Sequence, residues 1–296
     1  MVYEFTVSSG YNGKKLGTFL REAGSMSASL VRSVKYTDDG LLVDGERAKT
    51  DHILEKGQTV TVRVESKVNA LSSSKKVVPV VYENDHVLVF NKPAGIATHP
   101  TLGYPDDTLA NVYATLVRTR GEEDVFRPVN RLDKNTSGLV LAAKDRYVAP
   151  LLAASSRKQY YAVVEGVIPQ KEGIIEAPIG RESESIIRRS VNENGAPSVT
   201  EYEVLERFTD HTLVRVTPYT GRTHQIRVHF AHIGYPLAGD TLYGGSDELI
   251  NRHALHCASM WFDEPVTGKQ IYVNSQLPKD MLNLIYGLFA DMGKAQ

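Results

Sequence analysis

The sequence is short of cysteine: Cys257 stands alone among 296 residues. No intrachain disulfide is possible, which fits a reducing compartment. No apolar run is long enough to cross a bilayer. The start, MVYEFTVSSGYNGKK, lacks a basic stretch followed by an apolar core, so no signal peptide and no membrane partner are expected. These absences predict a cytoplasmic chain. The lysine-bearing phosphate loop is missing, as are the dinucleotide glycine fingerprint and the Gly-x-Ser-x-Gly elbow. Nucleotide-driven chemistry, dinucleotide redox and common esterase chemistry therefore lose their markers. No internal repeat at a solenoid period is visible.

Excess charge of either sign is lacking too, with a net charge of −1. Taken globally, that argues against a polyanionic partner. The distribution is uneven, however. Residues 1–76 hold 12 Lys/Arg against 9 Asp/Glu, and the remainder holds 22 against 26. Within that acidic remainder, residues 211–239 contain no Asp or Glu but do contain Arg215, Arg222, Arg227 and four histidines. A basic window of this kind suits a local anion site, or arises by chance.

Residues 67–76, KVNALSSSKK, read as a weakly structured linker. They divide a small domain (1–66) from a large one (77–296). The small domain has two short helices, the second capped by a serine in SMSASLVRSVKY. A hairpin around Asp44-Gly45 follows, then a strand with Val60, Val62 and Val64 on alternate positions. In the large domain strands mostly follow strands, with helices interspersed. That pattern predicts α+β, with a mixed, largely antiparallel sheet flanked by helices. The string RTHQIRVHFAHIG reads as a helix that Thr223 could cap and that Gly234 and Pro236 end.

Candidate chemistry is sparse. His253, His256 and Cys257 in HALHC have no second cluster at ligand spacing, so no metal is expected. Asp133, in RPVNRLDKNTSGLVLAAKD, is either a turn residue bonding its own backbone or a carboxylate held for chemistry. Arg222, at the start of the basic helix, is either a solvated charge or a group reaching away from that helix. Of Tyr160 and Tyr161 in KQYYAVVEG, only one can face a given side of a strand. NKPAGIATHP, residues 91–100, reads alone as a rigid loop.

Taken in order, four strings resemble the RluA-type family of RNA pseudouridine synthases over residues 77–290. Asn130-Arg131-Leu132-Asp133-Lys134-Asn135-Thr136-Ser137-Gly138-Leu139 matches the family's aspartate motif, except that Asn130 stands where His is common. KQYYA selects Tyr160. GRTHQIRVH and GYPLAGDTLYG match throughout. The resemblance implies an enzyme that isomerises specific uridines in structured RNA without a cofactor. Asp133 is implied as the catalytic carboxylate, with Tyr160 against the base and Leu255 as an apolar wall. Arg222 is expected to keep Asp133 charged and aimed, since a close cation favours the ionised form. Asn130, Arg131, Thr223 and His224 are expected on the substrate side. Arg131 is placed to stack or to fill the space left by a flipped uridine. Asn130 cannot titrate near neutrality, unlike the usual His.

The N-terminal 66 residues resemble the small RNA-binding domain named after a ribosomal small-subunit protein. Arg32 and Lys35 are its expected RNA contacts, with Arg227 in the large domain. A monomer acting on large-subunit ribosomal RNA is favoured, with transfer RNA as the alternative substrate. A non-catalytic RNA-binding protein is the rival from another class. Glycoside hydrolysis would need a second carboxylate flanking the bond, and the matched strings offer none.

Overall fold

The computed structural model describes residues 1–65, 71–101, 103–122, 125–182, 185 and 187–294. The N-terminal part is built from β1 (Val2–Thr6), α1 (Leu16–Glu22), α2 (Ala28–Lys35), β2 (Leu41–Val43), β3 (Glu46–Arg47) and β4 (Thr59–Arg63). The strands form an antiparallel sheet in the order β1-β4-β2-β3. Ser27 caps α2 as expected, its Oγ accepting the Leu30 N–H at 3.2 Å. The hairpin turns at Asp44 and Gly45, both at positive φ, as a tight two-residue turn requires. The alternation of Val60, Val62 and Val64 buries all three.

The larger part continues with β5 (Val80–Glu83), β6 (Val87–Lys92), α3 (Leu109–Thr119), β7 (Arg127–Pro128) and β8 (Ser137–Ala143). Then come α4 (Val148–Ser155), β9 (Arg157–Glu165), β10 (Glu172–Glu176), β11 (Ile179–Arg181), β12 (Arg189–Val191), β13 (Val199–Arg207) and β14 (His211–Pro218). The last elements are α5 (Gln225–His232), β15 (Leu255–Asp263), β16 (Gln270–Asn274) and α6 (Lys279–Lys294). Among the described residues, ten strands make one sheet along β10-β13-β14-β9-β15-β8-β6-β5, with β16 added to β15 and β7 to β8. β11 and β12 form a separate hairpin. The fold is thus α+β with a mostly antiparallel sheet. α1 and α2 pack on the small sheet, and residues of both sheets share one continuous apolar core.

Among the described residues, one pairing in the large sheet is parallel, and it positions the site. β15 meets β8 through His256 opposite Ser137 and Cys257 opposite Gly138. The N-terminal ends of two central strands therefore lie side by side, and the Asp133 loop enters β8 there. Gly138 makes this approach possible. It sits at φ +112°, and a Cβ there would fall 2.2 Å from the Cys257 carbonyl oxygen.

Two features go beyond the sequence expectation. Of the expected linker, residues 67–70 lie outside the described residues. Residues 71–76 have no regular secondary structure, yet they are fastened along α3. Thr115 Oγ1 accepts the Ser74 N–H at 2.8 Å, Asn111 donates to the Ser72 carbonyl at 3.0 Å, and Arg118 donates to the Leu71 carbonyl at 2.6 Å. The small hydroxyl side chains that suggest a loose tether add to this, Ser72 Oγ accepting from Asn111 at 3.0 Å and Ser73 Oγ from Arg118 at 2.9 Å. The N-terminal part is also docked. The Tyr3 hydroxyl of β1 donates to Asp145, just after β8, and the Tyr3 ring meets that of Tyr147 edge-on at 4.5 Å. Arg146 donates to Ser33 Oγ of α2 at 3.0 Å.

Candidate active site around Asp133

The loop between β7 and β8 carries Asp133, and neighbouring elements fix it residue by residue. Asn130 lies against β8: its amide donates to the Leu139 carbonyl at 3.1 Å, and its Oδ1 accepts the Leu141 N–H at 2.8 Å. Thr98 clasps Leu132, donating to its carbonyl at 2.9 Å and accepting its N–H at 3.2 Å. Arg252 donates to the Asn135 carbonyl at 3.1 Å, and Thr136 Oγ1 lies 2.7 Å from His253 Nε2. A turn bond from Thr136 N–H to the Asp133 carbonyl closes the loop at 3.1 Å. Asp133 is thus a turn residue by backbone, with its carboxylate left free for other partners.

Lys92 is the least expected member of this frame. It ends β6 with no exposed surface, and its ammonium donates to the carbonyls of Pro93, Ile96 and Lys134 at 3.0, 2.8 and 3.1 Å. Burial pushes its pKa down to about 7, although the nearby Asp133 charge opposes the shift. Lys92 thereby ties the NKPAG loop to the Asp133 loop. The NKPAG string carried that signal, but a charged residue in a loop is ordinarily solvated, so sequence reasoning passed over it.

The Asp133 carboxylate meets α5. Arg227 Nη1 donates to Asp133 Oδ2 at 3.2 Å, while its Nε and Nη2 grip the two oxygens of Asp240 at 2.7 Å each. Asp240 is almost wholly buried and Arg227 nearly so, whereas the Asp133 side chain keeps 26% of its surface open. Burial works against the Arg227 charge, but its bonds to Asp240 and Asp133 outweigh that and hold it protonated. One guanidinium thus bridges a buried, fixed carboxylate and a partly open one. His224 Nε2 stands 3.8 Å from the same Asp133 oxygen, and burial lowers its pKa despite Asp133.

This arrangement corrects the ion pair expected for Arg222. Arg222 is exposed, and its Nε donates to the Pro197 carbonyl at 3.3 Å. It precedes α5 on the outer side, while Arg227 lies in a helix stretch buried from Gln225 to Phe230. Arg227 is accordingly an interior partner of Asp133, not a surface contact for RNA. Thr223 does not cap α5 either. The N-cap is His224, in the left-handed region at φ 58°, and Thr223 is exposed.

The remaining expected residues divide in the same way. Tyr160 is buried on β9, opposite Cys257 of β15. Burial raises its phenol far above the ordinary value, with contributions from Cys257 and from the Asp133 charge. Leu255 is buried at the start of β15. Arg131 is exposed on the Asp133 loop. Arg32 and Lys35 are exposed on α2, with Lys35 Nζ 5.6 Å from the centre of the exposed Tyr36 ring. Asp240 and Tyr243 were missed, although both lie in the matched string GYPLAGDTLYG. Among the described residues, no group of three or more His, Cys, Asp or Glu side chains is arranged to hold a metal ion.

The profile described as RNA pseudouridylate synthase matches residues 86–232, which span both the Asp133 loop and α5. YjbO of Bacillus subtilis, described as an uncharacterized RNA pseudouridine synthase, is 36% identical over 88% of this chain and 95% of its own length. Ribosomal large subunit pseudouridine synthase D of Pseudomonas aeruginosa is 40% identical over 84% of this chain and 83% of its own. The solved structure of human RNA Pseudouridylate Synthase Domain Containing 1 aligns with a TM-score of 0.57 at 25% identity, covering 74% of this chain and 97% of that one.

Proposed function

This chain belongs to the RNA pseudouridine synthase family and isomerises uridine to pseudouridine in RNA; on that premise we propose that Asp133 is the carboxylate that acts on the target nucleotide. The observation that carries this reading is the line Asp133–Arg227–Asp240. In the overall reaction the bond between the sugar C1′ and uracil N1 breaks, the base turns, and a bond from C1′ to C5 replaces it. C5 loses a proton and N1 gains one, so the product is an isomer and needs neither redox partner nor phosphoryl donor. Asp133 takes part as the ionised form, either on the sugar or as a base beside it. Arg227 donates to one of its oxygens at 3.2 Å and so aims the carboxylate. Asp240 fixes Arg227 so that it orients Asp133 without being drawn wholly onto it.

Uridine within folded RNA has to leave its stack, at a cost of a few kcal/mol. Arg131, exposed two residues before Asp133, is the group we assign to stack on or replace the displaced base. Tyr160 packs against the base. Its raised pKa suits it to relay or donate a proton and not to act as a charged base. Leu255 supplies an apolar wall. Asn130 acts on the loop from within, through its bonds to β8, and Arg222 and Thr223 are left to face the RNA.

Large-subunit ribosomal RNA is the substrate we favour, because relatives bearing that function in their name match across most of both chains. Residues 1–66 are assigned as an auxiliary RNA-binding domain using Arg32 and Lys35, on a monomeric cytoplasmic enzyme. The test is to map pseudouridines across total RNA from cells with the gene, without it, and with Asp133→Asn. Loss at large-subunit sites in both altered strains is expected. Loss confined to transfer RNA would overturn the substrate assignment, and an unchanged map in the Asp133→Asn strain would overturn the role of Asp133.

A further inference from the structure

Tyr243 touches Arg227 and His224, two groups that face the Asp133 carboxylate. Its ring lies 5.0 Å from Arg227 Cζ, and its hydroxyl lies 2.8 Å from His224 Nδ1. The same hydroxyl oxygen accepts the Arg189 backbone N–H of β12 at 3.0 Å. A backbone N–H can only donate, so the phenolic proton remains available for His224. With Nδ1 accepting it, a neutral imidazole carries its own proton on Nε2. Nε2 is the nitrogen that faces Asp133 Oδ2 across 3.8 Å, too far for a hydrogen bond. The opposite tautomer would aim a lone pair at that carboxylate. His224 also occupies the left-handed region at φ 58°, which non-glycine residues enter infrequently and which marks a constrained position.

We propose that Tyr243 is a positioning residue that fixes His224 as the Nε2–H tautomer, so that this N–H stands beside Asp133 as a donor to an oxygen of the bound nucleotide. The inference rests on the reading of Asp133 as the acting carboxylate. The groups around His224 agree with a neutral ring. Asp133 and Asp240 favour its protonation, Arg227 and Arg189 oppose it, and burial decides the balance toward the neutral form. His253, also held neutral by burial, adds no lasting charge nearby. Tyr243 thereby couples the β11–β12 hairpin to the site, since the Arg189 N–H occupies the phenolic oxygen and leaves its proton for His224.

The test uses the full chain with ¹⁵N-labelled histidine. The His224 resonance is identified by its loss in His224→Asn, a replacement that tolerates the left-handed backbone. In the wild type it should report the Nε2–H tautomer. In Tyr243→Phe it should shift toward a mixture, and single-turnover pseudouridine formation should slow about fivefold, as expected for one lost hydrogen bond. His224→Asn should slow the reaction as well, and adding Tyr243→Phe to it should cost nothing more. An Nδ1–H tautomer in the wild type, an unchanged tautomer in Tyr243→Phe, or fully additive rate losses would each overturn the proposal. The tautomer readout does not depend on turnover, so failure of the Asp133 assignment would show separately, as activity surviving in Asp133→Asn.

Discussion

Replacing Asp240 should damage catalysis and stability together, in proportions the geometry sets. Asp240 does not reach the open part of the site; it accepts two bonds from Arg227 at 2.7 Å and is itself buried. Asp240→Asn keeps one carbonyl oxygen but loses the charge and one of the two bonds. Hydrogen bonds to charged groups contribute about 1.5–3 kcal/mol, so this variant should lose about 2 kcal/mol of stability. Asp240→Ala removes the whole partner from a buried ion pair, which costs about 3–5 kcal/mol. Arg227 would then have Asp133 as its remaining carboxylate and would no longer be held at a fixed distance from it. If about 1.5–3 kcal/mol of that orientation is lost in the transition state, the chemical step slows about 10- to 100-fold. Tritium release from C5 of labelled uridine in RNA, under single-turnover conditions, reads that step directly. Urea denaturation and RNA binding measured on the same variants separate it from unfolding and from affinity. An Asp240→Ala protein within about 0.5 kcal/mol of wild-type stability and reacting at the wild-type rate would refute the bridging role.

Arg227→Ala should abolish most single-turnover activity, whereas Arg222→Ala should leave the rate within about twofold and act, if at all, on RNA affinity; the 1.4 kcal/mol-per-decade scale makes that contrast easy to resolve. Lys92→Met should take the ammonium donor from the carbonyls of Pro93 and Ile96, while Lys134 keeps the Gly95 N–H at 2.8 Å, and destabilise the chain by about 1–3 kcal/mol, seen by urea denaturation together with a fall in activity. His256 is buried and its pKa is pushed down to about 4 from 6.5, so the unfolded chain binds its proton first as pH falls. Stability should therefore be fully present above about pH 6.5 and decline toward pH 4, by about 3 kcal/mol from this residue. His256→Gln should flatten that part of the stability curve measured by denaturation against pH.

The sequence carried the fold wherever local chemistry agreed with tertiary placement. Ser27 capped α2, Asp44-Gly45 made a hairpin, and the paired runs ending near Lys92 and around Asp210-His211 became adjacent antiparallel strands. Short elements such as β10, β11, β12 and β16 were not legible, because segments like EGIIE and IGR owe their strand form to a neighbouring edge. Helix α4, with apolar residues all around it, offered no stripe to recognise. The same limit explains the arginine exchange at the site. Residues 225–230 are all buried, the polar Gln225, Arg227 and His229 included, so an apolar stripe did not mark which arginine turned inward. Asp133 itself was found through its motif. Asp240, Tyr243 and Lys92 sat in matched or quoted strings, but their roles depend on contacts that only the folded chain makes.

The role proposed for Asp133 is to perform the isomerisation while Arg227 holds it against Asp240. Asp133→Asn assayed by single-turnover tritium release on ribosomal RNA tests it most directly. No detectable product should form, with RNA affinity and the unfolding transition close to wild type. Product formed at the wild-type rate would contradict it.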